Sequence, residues 1–120
     1  MTTQSIDLIK KAYAAFNDRD IDNALSTMQP NVQWSNGWEG GDISGYDEIK
    51  AYWKRQWKEI NPHVEPIGFN ERRNGSLEVV VHQKVKDLHG NSMFDGKVMH
   101  IYTFDNGLIK TMDIELPANN

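Results

Sequence analysis

The chain contains no cysteine, and this absence removes several kinds of chemistry. Disulfide scaffolds, thiol nucleophiles and thiolate metal sites are excluded. The sequence also lacks a basic stripe with interleaved aromatic residues, so we expect no nucleic-acid partner. No apolar run approaches the roughly 20 residues of a membrane-spanning helix, so we expect no membrane partner. Because residues 1–11 lack the basic start and apolar centre of a signal peptide, a cytoplasmic location is expected.

The composition is that of an ordinary folded protein. Hydrophobic residues make up 38% and charged residues 25% of 120 residues, and the net charge is -4. A chain of this length predicts a single domain over residues 1–120. All four tryptophans lie in its first half. Large flat side chains either line ligand cavities or fill the core, so their number alone decides nothing.

Apolar residues at helical spacing predict three helices in the first half of the chain. The first ends near Asn17. The second carries Met28 on its apolar stripe and ends before Pro30, because the residue preceding a proline is pushed out of the helical region. The third begins after Ser44 and stops at residues 61–62. It carries Trp53 and Trp57 on one apolar stripe, with lysines and an arginine mostly on the other side.

The rest of the chain is predicted to be mainly β-structure. A short strand covers residues 32–36, a glycine-rich loop follows at 37–42, and an edge or bulged strand covers 64–71. A clear strand spans 77–87, and two further strands at 93–104 and 108–116 form a hairpin. Asn106 and Gly107 favour the positive φ angles that a tight hairpin turn requires. Helices separated from a meandering sheet predict an α+β fold with the helices on one sheet face.

Alternation along the strands places one histidine on an apolar face. Side chains alternate between the two faces of a strand, so His100 shares a face with Val98 and Tyr102. The same argument points Gln83 inward and His82 outward. An imidazole among apolar groups tends to be neutral and can give or take a proton. His100 is therefore the main candidate for ligand contact or acid/base work, and the alternative is a buried histidine bonded to Gln83, Tyr13 or water.

Several motifs in order resemble one superfamily: Tyr13-Ala-Ala-Phe16-Asn17, Pro30-Asn-Val32-Gln-Trp34, Gly45-Tyr-Asp-Glu-Ile49, Tyr52-Trp53 and His100-Ile-Tyr-Thr-Phe104-Asp-Asn-Gly107. They are similar to the NTF2-like superfamily and, within it, to the SnoaL-like and ketosteroid-isomerase-like branch. The resemblance implies a cone-shaped, cystatin-like α+β fold with three N-terminal helices packed on a strongly curved antiparallel sheet. It also implies an apolar cavity at the wide end and a homodimer formed through the outer sheet face.

Transfer of the branch's functional residues is incomplete. The position of the isomerase base corresponds to Trp34, and the oxyanion-binding tyrosine corresponds to about Ala12. The protonated aspartate of the isomerases corresponds to His100. SnoaL-type cyclases, by resemblance, use an acid/base aspartate helped by a histidine. Asp113 is the candidate acid beside His100, although alternation turns it to the other face.

The sequence therefore favours a SnoaL-like protein that binds a small apolar or aromatic ligand, with His100 and Gln83 as polar contacts. One alternative is a cofactor-independent enzyme that isomerises or cyclises an enolisable carbonyl compound. A second is a non-catalytic dimerisation module with a self-filled cavity. We expect no cofactor, and no histidine spacing predicts a metal site. The expected cavity walls are aromatic or apolar: Tyr13, Phe16, Trp34, Trp38, Trp53, Trp57, Tyr102 and Met112.

Overall fold

The computed structural model describes residues 2–37 and 39–115 and contains three helices and six strands within them. The helices are α1 (Thr2–Asn17), α2 (Ile21–Leu25) and α3 (Gly45–Glu59). The strands are β1 (Met28–Ser35), β2 (Asp42–Ser44), β3 (Ile60–Glu71), β4 (Leu77–Asp87), β5 (Ser92–Asp105) and β6 (Leu108–Glu115). No helix in this part of the chain is long and apolar enough to cross a membrane.

The strands form one curved, open sheet in the order β2-β1-β6-β5-β4-β3. Its pairs are antiparallel except that β1 runs parallel to β6, a junction that the strand pattern did not predict. The register shifts in β3 between Pro66 and Gly68, where the sequence favoured a bulged edge strand. Because a bulge bends its strand and increases the local twist, such shifts help the sheet to curve around the helices.

The hairpin of β5 and β6 forms as the sequence predicts. Asn106 and Gly107 have φ angles of 52° and 78°, as a two-residue turn with two left-handed positions requires. Along β4, Leu77, Val79 and Val81 are buried on the inner face, which confirms the alternation. The predicted end of the last strand at Leu116 lies outside the described residues.

Several elements in the first half differ from the sequence prediction: β1 begins at Met28 and not at residue 32, β2 was not predicted, and β3 begins at Ile60 and not at residue 64, whereas α3 begins after Ser44 as expected. Met28 belongs to β1 and not to the second helix, which ends at Leu25. Met28 is nevertheless buried, because its register with Ile109 of β6 places it in the core. At the start of α3 the Ser44 hydroxyl makes no capping bond. Instead the Glu48 carboxylate reaches back and accepts the Ser44 backbone N–H at 2.7 Å.

A side-chain amide connects the end of α1 to the edge strand β3. Asn17 donates through Nδ2 to the carbonyl oxygen of Val64 at 2.7 Å and accepts the Val64 N–H at 3.0 Å. This pair of bonds imitates the pairing between two strands and satisfies buried backbone groups. It holds the C-terminal end of α1 over the inner face of the sheet, where the buried core lies.

Candidate functional site

Three polar side chains form a continuous hydrogen-bonded chain inside the fold. Tyr102 on β5 donates its hydroxyl hydrogen to the hydroxyl oxygen of Tyr13 on α1 at 2.8 Å. The Tyr13 hydroxyl lies 2.7 Å from Nδ1 of His100. His100 and Tyr102 are two residues apart on β5 and share its inner face, so one helical tyrosine bridges both.

Burial fixes the protonation of this chain. It raises the pKa values of both phenols, that of Tyr13 with further contributions from Tyr102, so both stay protonated. It also lowers the pKa of His100 from 6.5 to about 4, because the charged imidazolium is poorly solvated there. The Tyr13 oxygen already accepts from Tyr102, and Nδ1 is the acceptor in reach of its own hydrogen. At neutral pH we therefore assign Tyr13 as the donor to Nδ1 and the imidazole hydrogen to Nε2.

The Nε2–H group of His100 faces a pocket. In the described part of the chain Nε2 has no hydrogen-bond partner, and the protein does not enclose this atom completely. Because His100 lines the pocket, Nε2 is accessible from it. The pocket has a volume of about 420 Å³. No Asp, Glu, Lys or Arg side chain lines it among the described residues, so its interior is neutral.

Most of the sequence-predicted cavity residues line this pocket. Phe16, Trp34 and Trp53 form an edge-to-face aromatic cluster, with ring centroids 5.3 Å apart for Phe16–Trp53 and 5.9 Å for Trp34–Trp53. The predicted residues found in the lining are Tyr13, Phe16, Trp34, Trp53, Gln83, His100, Tyr102 and Met112.

Two predicted site residues lie elsewhere, and a third falls outside the described residues. Trp57 is outside the pocket lining, stacked on Trp53 and covered by the guanidinium of Arg19, which lies 4.9 Å from its ring centroid. Its indole N–H is enclosed and has no acceptor in the described chain. Asp113 is exposed and pairs across the strands with Ile101, so it lies on the face opposite His100. Trp38 lies outside the described residues.

The inner stripe of α3 differs from the one that the sequence suggested. The buried positions are Ile49, Tyr52, Trp53 and Gln56, at the i, i+3, i+4 and i+7 spacing of a helix face. Steps of four residues overshoot a full turn by about 40° each, which turns Trp57 away from the pocket. The sequence did not indicate this stripe, because a glutamine is usually a surface residue and Gln56 interrupts the hydrophobic pattern. Its side chain lies 3.4 Å from the Tyr52 hydroxyl and adds a second polar pair to the lining.

A glycine-rich loop begins beside the pocket and is held to α3 by an ion pair. Ser35 and Gly37 line the pocket. Glu39 accepts two hydrogen bonds from the guanidinium of Arg55, at 2.8 and 2.9 Å, and one from Asn36 at 3.0 Å. These bonds lower the pKa of Glu39 to about 2, with the Arg55 contribution the largest. The loop is therefore held by a charge-assisted, bidentate contact.

The sequence model of the SnoaL-like domain family matches residues 9–112 of this chain. The chain belongs to the SnoaL-like domain family. No curated protein matches this SnoaL-like chain. Among solved structures, TerC co-crystallised with polyporic acid is 26% identical, with a TM-score of 0.82 over 94% of this chain and 91% of that one.

Two further structures share the fold. An NTF2-like protein of unknown function from Burkholderia pseudomallei is 24% identical, with a TM-score of 0.81, 94% of this chain and 90% of that chain being covered. A Mycobacterium tuberculosis protein in complex with estradiol-17beta-hemisuccinate is 13% identical, with a TM-score of 0.77 over 91% of this chain and 90% of that one. These likenesses confirm the NTF2-like fold that the sequence motifs implied.

Proposed function

We propose that this SnoaL-like protein binds a neutral, apolar or aromatic compound in the pocket, and that the Nε2–H of His100 donates a hydrogen bond to a carbonyl oxygen of that compound. The observation that carries the proposal is the Tyr13 hydroxyl at 2.7 Å from Nδ1 of His100. Because Tyr13 already accepts from Tyr102, its own hydrogen is assigned to that nitrogen, which leaves the imidazole hydrogen on Nε2 to pair with an acceptor.

The strength of this donor follows from its neighbours. Tyr102 donates to Tyr13, and Tyr13 donates to His100, so these two hydrogen bonds run in one direction toward the pocket, and the proposed bond from Nε2–H to the ligand continues them. Hydrogen bonds arranged in series polarise one another. In a pocket without charged walls, a hydrogen bond to a carbonyl oxygen is stronger than in water, and a buried donor left unpaired is costly.

The pocket also favours an aromatic partner over a flexible one. Pockets of roughly 300–1,000 Å³ with mostly apolar walls and few polar groups are typical of small-molecule sites, and this one has about 420 Å³. Trp34, Trp53 and Phe16 offer flat surfaces. TerC is 26% identical to this chain and was co-crystallised with polyporic acid. This likeness supports a small-molecule role for this chain.

The test compares a ketone with its hydrocarbon isostere. We expect wild-type protein to bind 4-acetylbiphenyl at least tenfold more tightly than 4-isopropenylbiphenyl, in which a methylene group replaces the carbonyl oxygen. In His100→Phe the two compounds should bind equally. Dissociation constants come from equilibrium dialysis. The matched control is His82→Phe, because His82 lies on the outer sheet face beside Asp95, and it should leave the ratio unchanged.

Two results would contradict the proposal. One is a wild-type protein that binds neither compound. The other is a ketone preference that survives in His100→Phe. If His100→Phe does not fold, Tyr13→Phe provides the second variant: it removes the group that holds the Nδ1 atom, and the ketone preference should fall.

Acid/base catalysis is the second candidate function, and the same donor favours it. An N–H aimed at a carbonyl oxygen stabilises the negative charge of an enolate, as oxyanion-binding groups do. Enolisation also requires a base, and His100 with a pKa of about 4 is a weak one. The described lining contains no carboxylate. Binding is therefore the function that the geometry supports best.

We further propose that two copies associate through the outer sheet face, as the family resemblance implies. Val80 and Met99 are paired there and only partly buried, beside the buried Ile101. Sedimentation equilibrium of wild type and Met99→Glu tests this: wild type should be dimeric and the variant largely monomeric. A monomeric wild type at tens of micromolar would contradict it.

A further inference from the structure

The mouth of the pocket contains two apolar residues that the core does not use. Met93 and Phe94, at the beginning of β5, are 60% and 44% exposed, yet both line the pocket. Neighbours in a regular strand point to opposite faces, so both would not reach one pocket. The register explains it: Val85 pairs with Phe94 and Lys86 with Ser92, which leaves Met93 without a counterpart. This bulge re-aims the two side chains.

The ring of Phe94 rests on a glycine. A Cβ atom built on Gly96 would lie 3.1 Å from Cζ of the Phe94 ring and 3.5 Å from Cε2. Gly96 does not adopt a positive φ, so its backbone conformation does not require glycine. A glycine within a strand often marks a close approach of another group. Here that group is the Phe94 ring, which occupies the space of the missing side chain.

Phe94 and His100 lie at two ends of one row. Phe94, Gly96, Val98 and His100 alternate along β5 on the inner face, and all but Gly96 line the pocket. Six residue steps along the strand separate His100 from Phe94, so their Cα atoms are about 20 Å apart at the rise of an extended chain. A ligand held at His100 by its oxygen therefore passes Val98 and meets Phe94 only if it is long.

We propose that Phe94, seated on Gly96, is the specificity-determining residue of the pocket and selects ligands that carry aromatic rings in series by stacking on the end remote from their carbonyl group. The inference rests on the proposed binding of a carbonyl compound at His100. Offset or edge-to-face contact with an aromatic ring adds affinity beyond the area it buries. A one-ring ligand held at His100 cannot reach that contact, so the benefit depends on ligand length.

The experiment uses three aryl methyl ketones: acetophenone, 4-acetylbiphenyl and 4-acetyl-p-terphenyl, with one, two and three rings. Dissociation constants are measured by equilibrium dialysis for wild type, Phe94→Ala, Gly96→Ala and the control Leu88→Ala. Leu88 is also exposed, at 58%, but does not line the pocket. Phe94→Ala should weaken the three-ring ketone at least tenfold and acetophenone less than twofold. Gly96→Ala displaces the Phe94 ring, so it should also weaken the three-ring ketone most and acetophenone least. Leu88→Ala should leave the affinity for all three ketones unchanged.

Equal weakening of all three ketones by Phe94→Ala, or no weakening of the longest, overturns the assignment of Phe94. Retained length selectivity in Gly96→Ala overturns the role of the glycine seat. In either case the proposed function stands if wild type binds acetophenone and His100→Phe does not. If wild type binds none of the ketones, both the proposed function and this inference fail.

Discussion

The Tyr13 hydroxyl lies 2.7 Å from Nδ1 of His100 and joins the first helix to a strand 87 residues further along the chain. Both residues are buried, and both line the pocket. This contact favours the imidazole tautomer with its hydrogen on Nε2, which is the donor on which the proposed function rests. The first two predictions below follow from this pair.

His100 should make stability depend on pH in a defined range. Burial lowers its pKa from 6.5 to about 4, so between these values the unfolded chain binds more protons than the folded one. The free energy of unfolding should therefore rise with pH from about 4 to about 6.5. The contribution is fully present above pH 6.5 and is lost as pH falls to 4. Its size is about 3 kcal/mol.

Urea unfolding of wild type and His100→Phe between pH 4 and pH 8 measures this contribution. As pH falls from 6.5 to 4, wild type should lose about 3 kcal/mol of unfolding free energy relative to His100→Phe. Contributions from other groups are common to both proteins and cancel. A difference that is constant over the range would contradict a buried neutral imidazole. Titration of the His100 ring by NMR gives the folded pKa directly.

The two tyrosines should be energetically coupled. Tyr13→Phe leaves the Tyr102 hydroxyl without its acceptor and Nδ1 of His100 without its donor, so we expect a loss of about 2 kcal/mol. Tyr102→Phe removes only a donor to Tyr13, and about 1 kcal/mol is expected. The double variant contains no orphaned Tyr102 hydroxyl. Its loss should be smaller than the sum of the two single losses.

Chemical denaturation of wild type, both single variants and the double variant completes this cycle. Strictly additive losses would mean that the hydroxyls do not interact. Because both substitutions remove only a hydroxyl group, the aromatic packing of the core is common to all three variants.

The sequence predicted those features that depend on local periodicity. The turn at Asn106-Gly107 and the inward faces of β4 and β5 follow from φ preferences and strict alternation, so His100 was placed correctly on the inner face. The spacing of Met28 from Leu25 suits a helix, so the sequence predicts Met28 in the second helix. Its parallel neighbour in the sheet, Ile109, is 81 residues away, and such a contact leaves no local signal.

The parts of the site that were not predicted have specific causes. Gln56 is a polar residue on a buried helix face, which interrupts the hydrophobic pattern. Met93 and Phe94 reach the pocket together only because of a bulge, and the extra residue of a bulge cannot be located without the partner strand. Tyr13 was considered as a partner of His100, but its role in fixing the tautomer depends on the distance between them.

The Glu39 carboxylate should respond to a single change on α3. Its pKa is about 2, first because of hydrogen bonds from Arg55 and then because of the bond from Asn36. In Arg55→Gln the guanidinium is absent, and the pKa of Glu39 should rise toward 4.5. NMR titration of the glutamate carboxyl carbons measures it. Lys54→Gln removes an adjacent exposed charge and is the matched control. An unchanged pKa in Arg55→Gln would mean that the loop is not held by this ion pair.

The absence of a carboxylate from the described pocket lining leads to the last prediction, which concerns proton transfer. Deuterium exchange at the acetyl methyl group of 4-acetylbiphenyl requires an enolate, and the enolate requires a base as well as an oxyanion donor. The neutral Nε2–H of His100 supplies only the donor. We therefore expect wild-type protein, at concentrations that saturate the ketone, to leave the exchange rate in deuterated buffer within twofold of the buffer rate, as followed by proton NMR.

Exchange that is accelerated by wild type and abolished in His100→Phe would instead establish acid/base catalysis. Asp113→Asn distinguishes the source of the base in that case. Because Asp113 is exposed on the face opposite His100, its substitution should change nothing, and a loss of accelerated exchange in this variant would require the carboxylate to reach the pocket.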